Sequence, residues 1–198
     1  MVGVAASGAA TGTVLTAGLA GIAAGSMAMA AGEYVSVSSQ VDVEKADRGM
    51  EACELADNPE EELQELIGIY ESRGLPTELA QQVAAALHET GPLEAHLRDE
   101  LGHTETAAAR PLQASAASAV SFLVGGLIPF LGLLGPTATT RIWLMVAVTF
   151  AGLAFAGILG AKAAGTPATR PALRVLMGGG LAMAITAAVG QLAHVSGI

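Results

Sequence analysis

Glu51 and Glu54 stand three residues apart, Glu62 and Glu65 repeat that spacing, and His96 precedes Glu100 by four. On an α-helix, residues three or four apart share a face, so each pair presents two ligand groups to one side. Asn58 and Pro59 lie between the first two pairs. An asparagine followed by proline ends one helix and starts another, which lets the two helices fold back until their carboxylates converge. Four carboxylates joined by an imidazole and a fifth carboxylate form an oxygen-rich set with one nitrogen, suited to Fe²⁺ or Mn²⁺ ahead of Zn²⁺ or copper. The same spacing equally describes a solvated acidic surface, on which like charges at this separation repel by roughly 0.2–0.5 kcal/mol per pair. Glu100 and His103 also spell the E-x-x-H of di-iron bundles, though in a single copy; Cys53 is either a further ligand or, more simply, a small packing residue.

All 18 acidic residues lie between Glu33 and Glu105, where Lys45, Arg48, Arg73 and Arg98 are the only bases. The net charge of −9 is therefore concentrated in one stretch, which predicts cation binding there and excludes nucleic acid, whose phosphates need a basic surface. The remainder is apolar. With 52% hydrophobic residues, 14% charged and a mean hydropathy of +0.54, the chain is too greasy for an ordinary soluble domain and belongs in a lipid bilayer. A single cysteine excludes an internal disulfide and a cysteine-rich zinc site. No Ser/His/Asp or Cys/His constellation and no G-x-x-x-x-G-K phosphate loop suggests an enzyme.

The acidic residues must be positioned by helices, and proline and glycine mark where these start and stop. Met1 to Ala10 is apolar but at ~1.5 Å per residue reaches only ~15 Å, about half of a ~30 Å hydrocarbon core. It lacks the basic start of a signal peptide, so it is expected to be the second half of a membrane helix that begins upstream of Met1. A second helix starts at Thr13, is apolar to Ala31, leaves the membrane near Glu33 and continues past Gln40 to about Asp57. On it Gly21, Gly25, Met29 and Glu33 share a face whose plainest use is close helix packing. Pro59 opens a helix with Glu60, Glu61 and Glu62 in its first turn and a stop at Gly74; Leu63, Leu66, Ile67 and Tyr70 form its buried stripe. Thr77 to Glu89, burying Leu79, Val83, Ala86 and Leu87, and Leu93 to about Leu101 follow. Pro111–Leu134, kinked at Pro129, Ile142–Ala161 and Val175–Ile198 are uncharged runs of about 20 to 24 residues, the length a spanning helix needs. Lys162, Arg170 and Arg174 make the connection between the last two spans the basic one, hence cytoplasmic, and the acidic segment falls on the same side.

The run SMAMAAGEYVSVSSQ (Ser26 to Gln40), the acidic segment containing GLPTELAQQVAAAL and the next span with its GGLIPF together resemble the vacuolar iron transporter family over essentially the whole chain. The resemblance implies five transmembrane helices, here with the first partial, and a cytosolic metal-binding helical insert between the second and third. It further implies a homodimer with the ion path at the subunit interface, and export of cytosolic Fe²⁺ or Mn²⁺ in exchange for protons. Glu51, Glu54, Glu62 and Glu65 match the family's two glutamate pairs, the second beginning eight residues after the first ends. His96 and Glu100 match a donor and glutamate four apart, with histidine where the family often has methionine. Met29 matches the pathway methionine. The family's Asp-Gly motif in the first membrane helix has no equivalent, and Gly21 does not supply the acid some members carry before that methionine. Glu33 is then the carboxylate left at the cytoplasmic mouth, a candidate for ion entry.

The expected protein is thus all-α and polytopic, with membrane helices over 1–40 and 106–198 and a cytoplasmic metal-binding insert over 41–105. It is expected to carry divalent iron or manganese out of the cytoplasm, with Zn²⁺ as a further fit and no resident cofactor. The site residues are Glu51, Glu54, Glu62, Glu65, His96 and Glu100, with Met29 and Glu33 on the path. Gly21 and Gly25, small residues at a four-residue spacing, favour a homodimer. The membrane is the inner membrane if the source is bacterial and the vacuolar one if it is eukaryotic. Two rivals stand beside this reading: a membrane-anchored metal-binding or sensing protein that moves no ion, and a structural membrane protein whose acidic segment recruits a basic partner.

Overall fold

The computed structural model describes residues 1–103 and 109–196. Glu105, the expected end of the acidic stretch, the start of the 106–198 segment and the terminal Ile198 lie outside the described residues. Among the described residues the chain is all-helical: α1 (Val2–Ala6), α2 (Thr11–Asp57), α3 (Pro59–Ser72), α4 (Thr77–Thr90), α5 (Pro92–Asp99), α6 (Pro111–Leu127), a 3-10 segment (Ile128–Leu134), α7 (Ala138–Ala163) and α8 (Thr169–Val195). The fold divides into two compact units, one of Met1–Ala31 with Ala116–Ile198 and one of Gly32–Ser115. α2 contributes to both, because no proline interrupts its 47 residues where the sequence turns from apolar to acidic.

The second unit is built by its punctuation. Asn58 starts α3, though through its backbone: its carbonyl accepts from the Glu61 and Glu62 amides at 3.0 and 3.1 Å, and its side chain makes no cap bond. Proline at the next position has no amide to leave unsatisfied, and Glu60, Glu61 and Glu62 meet the positive end of the helix dipole. α3 ends at Ser72 with Arg73 as its C-cap, after which Gly74 takes φ +96, a left-handed turn that a side chain would oppose. Leu66, Ile67 and Tyr70 of α3 are buried against Ala80 and Ala84 of α4 and Ala95 of α5, with Leu63, Val83 and Leu87 partly covered. The stripe expected for α4 is rotated. Leu79 and Ala86 are exposed, and Ala80 and Ala84, small enough to admit α3, take the inward positions.

The first unit is that of an integral membrane protein. Four helices among the described residues are long and apolar enough to cross a bilayer: α2, α6 with its 3-10 continuation, α7 and α8. Trp143, Phe155 and Leu181 remain more than 60% exposed, a display of large apolar groups that water would penalise and lipid accepts. Pro129 acts as expected, since α6 gives way to the 3-10 segment one residue before it. α1, five residues long, lies on α8 where Gly3 and Gly190 meet backbone to backbone; a Cβ on Gly190 would overlap the Gly3 carbonyl. α7 opens with a reciprocal cap, the Thr140 amide donating to Thr137 Oγ1 at 3.2 Å and the Thr137 amide to Thr140 Oγ1 at 2.9 Å.

Candidate metal centre

Three helices of the second unit bring their acids to one imidazole. His96 of α5 is fully buried. Its Nδ1 lies 3.1 Å from Oε1 of Glu51 on α2, 3.2 Å from Oε2 of Glu100 just past α5, and 3.7 Å from Oε2 of Glu62 on α3. Glu51 and Glu62 are buried as well. Only the Glu100 contact has hydrogen-bond geometry; Glu51 Oε1 sits at ion-pair distance yet off the N–H direction, and has no hydrogen-bond partner. One ring nitrogen carries at most one proton, so it cannot satisfy three carboxylates at once. Ligand atoms of Glu51, Glu62 and His96 all fall within 4.8 Å of one another. Metal–ligand bonds of ~2.0–2.2 Å put neighbouring ligand atoms ~3 Å apart, so a small divalent cation fits this set with little rearrangement.

The electrostatics point the same way. Burial pushes the Glu51 carboxyl up to about 7, and repulsion from Glu100, Glu62 and Glu54 adds to this against the opposing pull of His96. Glu62 is raised too, first by burial, then by Glu65, with His96 again opposing. Glu51 is thereby brought into the range where it exchanges a proton near neutral pH, and a cation bound beside it displaces that proton.

α5 is held in place by a second network. Burial alone would raise Asp99, but hydrogen bonds from Arg98, Arg73 and Tyr70 hold its carboxyl far below the usual carboxylate range. Tyr70 Oη donates to Oδ2 at 2.7 Å; Arg73 donates to Oδ1 at 2.7 Å and to the Asp99 carbonyl at 2.6 Å. Arg48 of α2 pairs with Glu94 at the start of α5 at 2.9 Å, and Asp47 lies 3.5 Å from His103 beyond its end. Two of the four bases in the acidic stretch thus neutralise Asp99, next in sequence to Glu100, and among the described residues no arginine pairs with the acids around His96. The Asp99 anchor was not among the expected site residues. Its only signal in sequence is Tyr70 and Arg73 three apart, on the same face of α3.

The other expected residues fall elsewhere. Glu54 and Glu65 are exposed, acting on the buried pair through charge. Met29 is exposed in the first unit and Glu33 is exposed in the second. Gly25 packs on Phe122 of the same chain, whereas the Gly21 position is open. Cys53 is exposed, so the expectation of a packing residue fails, and His103 faces Asp47 rather than completing an E-x-x-H site.

The chain matches the VIT family over residues 1–191. A protein from Acanthamoeba castellanii named vacuolar iron transporter is 43% identical over 184 residues, covering 92% of this chain and 70% of that protein. Vacuolar iron transporter 2 of Oryza sativa subsp. japonica is 32% identical over 174 residues, 86% of this chain and 71% of its own length. Vacuolar iron transporter homolog 2 of Arabidopsis thaliana is 31% identical over 187 residues, 93% and 70%.

Proposed function

The chain belongs to the VIT family of transporters, and from that premise we propose that it moves Fe²⁺, and Mn²⁺ by the same ligand chemistry, out of the cytoplasm. The observation that carries the reading is the convergence of Glu51, Glu62 and Glu100 on the buried Nδ1 of His96. In this account the second unit is a cytoplasmic capture site: Glu51, Glu62, His96 and Glu100 ligate the ion, while Glu54 and Glu65 at the rim draw it in. Iron is named by the relatives; manganese rests on the preference of mixed oxygen and nitrogen donors for hard-to-borderline cations.

Ion binding at raised carboxyls releases protons, which supports proton exchange as the counter-flux. A homodimer whose path runs along α2, past Glu33 and Met29, completes the proposal. The membrane is vacuolar in a eukaryote and the cell membrane in a bacterium. Uptake of Fe²⁺ and Mn²⁺ by proteoliposomes, with internal pH followed in parallel, tests it. The wild-type chain should carry metal with opposite proton movement, and Glu51→Gln with Glu62→Gln should cut the flux at low metal by about tenfold or more. Metal binding without flux would instead favour the anchored sensor. Equal flux in the double variant would remove the capture role.

A further inference from the structure

The first unit contains no aspartate or glutamate, yet it holds Arg141, Lys162, Arg170 and Arg174. Arg141 is accounted for by its bonds to the Gly135 carbonyl at 2.8 Å and to Thr11 Oγ1. Among the described residues, Arg170 and Arg174 make no hydrogen bond or ion pair within that unit. Instead both line a cavity of about 730 Å³ between the end of α7 and the start of α8. Its remaining wall is small and apolar, including Gly157, Gly160, Ala161 and Val175, with Thr166 and Thr169 at the polar side. The two arginines are four apart and so share a helix face, where their planar guanidinium groups can converge on one anion. The cavity lies where two candidate spans are joined, at the edge of the apolar layer.

From these observations we propose that the cavity between α7 and α8 is a binding site for the phosphate of an anionic phospholipid. Arg170 and Arg174 bind the headgroup, and the apolar wall takes the start of the acyl chains. The chemistry that selects this ligand is the combination itself. A phosphate group matches paired guanidinium forks, and the wall of glycine, alanine and valine favours an amphiphile over a free ion. Lys162 is exposed on α7 and does not line the cavity, which provides an internal control for nonspecific attraction of a basic loop to an acidic membrane.

The test is native mass spectrometry of the full chain in neutral detergent, titrated with phosphatidylglycerol, phosphatidylcholine or inorganic phosphate. Wild type should retain phosphatidylglycerol through collisional activation in preference to phosphatidylcholine. Arg170→Gln with Arg174→Gln should weaken that retention about tenfold or more, and Lys162→Gln by less than about twofold. Both arginines are exposed, so the variants should fold; an unchanged elution volume and melting temperature in lipid-free detergent check this. Equal loss in Lys162→Gln, unchanged retention in the double variant, or full displacement of the lipid by millimolar inorganic phosphate would each overturn the proposal.

Discussion

The two units treat charge in opposite ways. Around His96 the second unit buries carboxylates that repel one another and gives its arginines to Asp99 and Glu94 instead. The first unit has bases but no acid of its own and leaves Arg170 and Arg174 exposed at a cavity mouth. Burying unpaired charge costs several kcal/mol, whereas an exposed arginine is solvated and costs little. The buried set therefore persists because the rest of the second unit, with its own apolar core and the Asp99 anchor, holds it. In the proposed reading this set awaits a cation, while the α7–α8 cavity of the first unit awaits an anion.

His96→Ala should break this comparison most severely. It removes the nitrogen on which three carboxylates converge and opens a cavity in a fully buried place. Calorimetric affinity for Mn²⁺ or Fe²⁺ should fall about 100-fold or more, and the metal-free protein should lose roughly 2–4 kcal/mol at neutral pH. Arg170→Gln in the first unit should stay within about 0.5 kcal/mol in lipid-free detergent. Wild-type metal affinity in His96→Ala would mean that the carboxylates bind without the imidazole and that the geometry around Nδ1 is incidental.

The next effect is one of pH, and it separates two acids of the same unit. Glu51 titrates higher when folded, about 7 against an ordinary 4.5, so the native state holds a proton that the unfolded chain has already lost. Stability of the metal-free protein should then fall as pH rises from about 4.5 to about 7, by up to a few kcal/mol. Asp99 is depressed, so its contribution is present above its ordinary value and is lost only as pH falls below about 4. Melting curves across this range should show a maximum between the two windows, and Glu51→Gln should shrink the loss on the alkaline side to the share that Glu62 contributes while leaving the acid side intact. A flat response above pH 5 in wild type would show that Glu51 is not held among repelling acids.

The helices were legible because their boundaries are set by local chemistry: Asn58-Pro59, Gly74 and Gly91-Pro92 stop or start a helix whatever surrounds them. The spacing of the glutamate pairs was legible for the same reason. Which member of each pair turns inward was not. Residues three apart on a helix still differ by about 60° around its axis, and the neighbouring helices decide that Glu51 and Glu62 face His96 while Glu54 and Glu65 face water. The Asp99 anchor joins Tyr70 and Arg73 to a residue on another helix, a pairing that exists only after α3 and α5 have packed. α4 was misread for a related reason: hydrophobicity ranks Leu79 above Ala80, but the close approach of α3 rewards the smaller side chain.

The smallest expected effect is also the one that tests the division between ligands and rim. Glu54→Gln with Glu65→Gln removes two exposed charges, neither of which belongs to the group of ligand atoms around Nδ1. Exposed charges act through a screened field, so equilibrium affinity at physiological salt should fall by about threefold or less, and the deficit should shrink further as salt is raised. Association should slow more than dissociation quickens, because a field outside the site steers the ion without holding it. Both residues also repel the buried pair, Glu54 acting on Glu51 and Glu65 on Glu62, so their removal should move the alkaline stability loss to slightly lower pH. Stopped-flow binding with Mn²⁺ at two ionic strengths, beside Glu51→Gln, reads all three. If the rim variant loses as much affinity as Glu51→Gln and the loss is insensitive to salt, Glu54 and Glu65 turn inward to ligate when the ion arrives, and the division drawn between buried and exposed members of each pair is wrong.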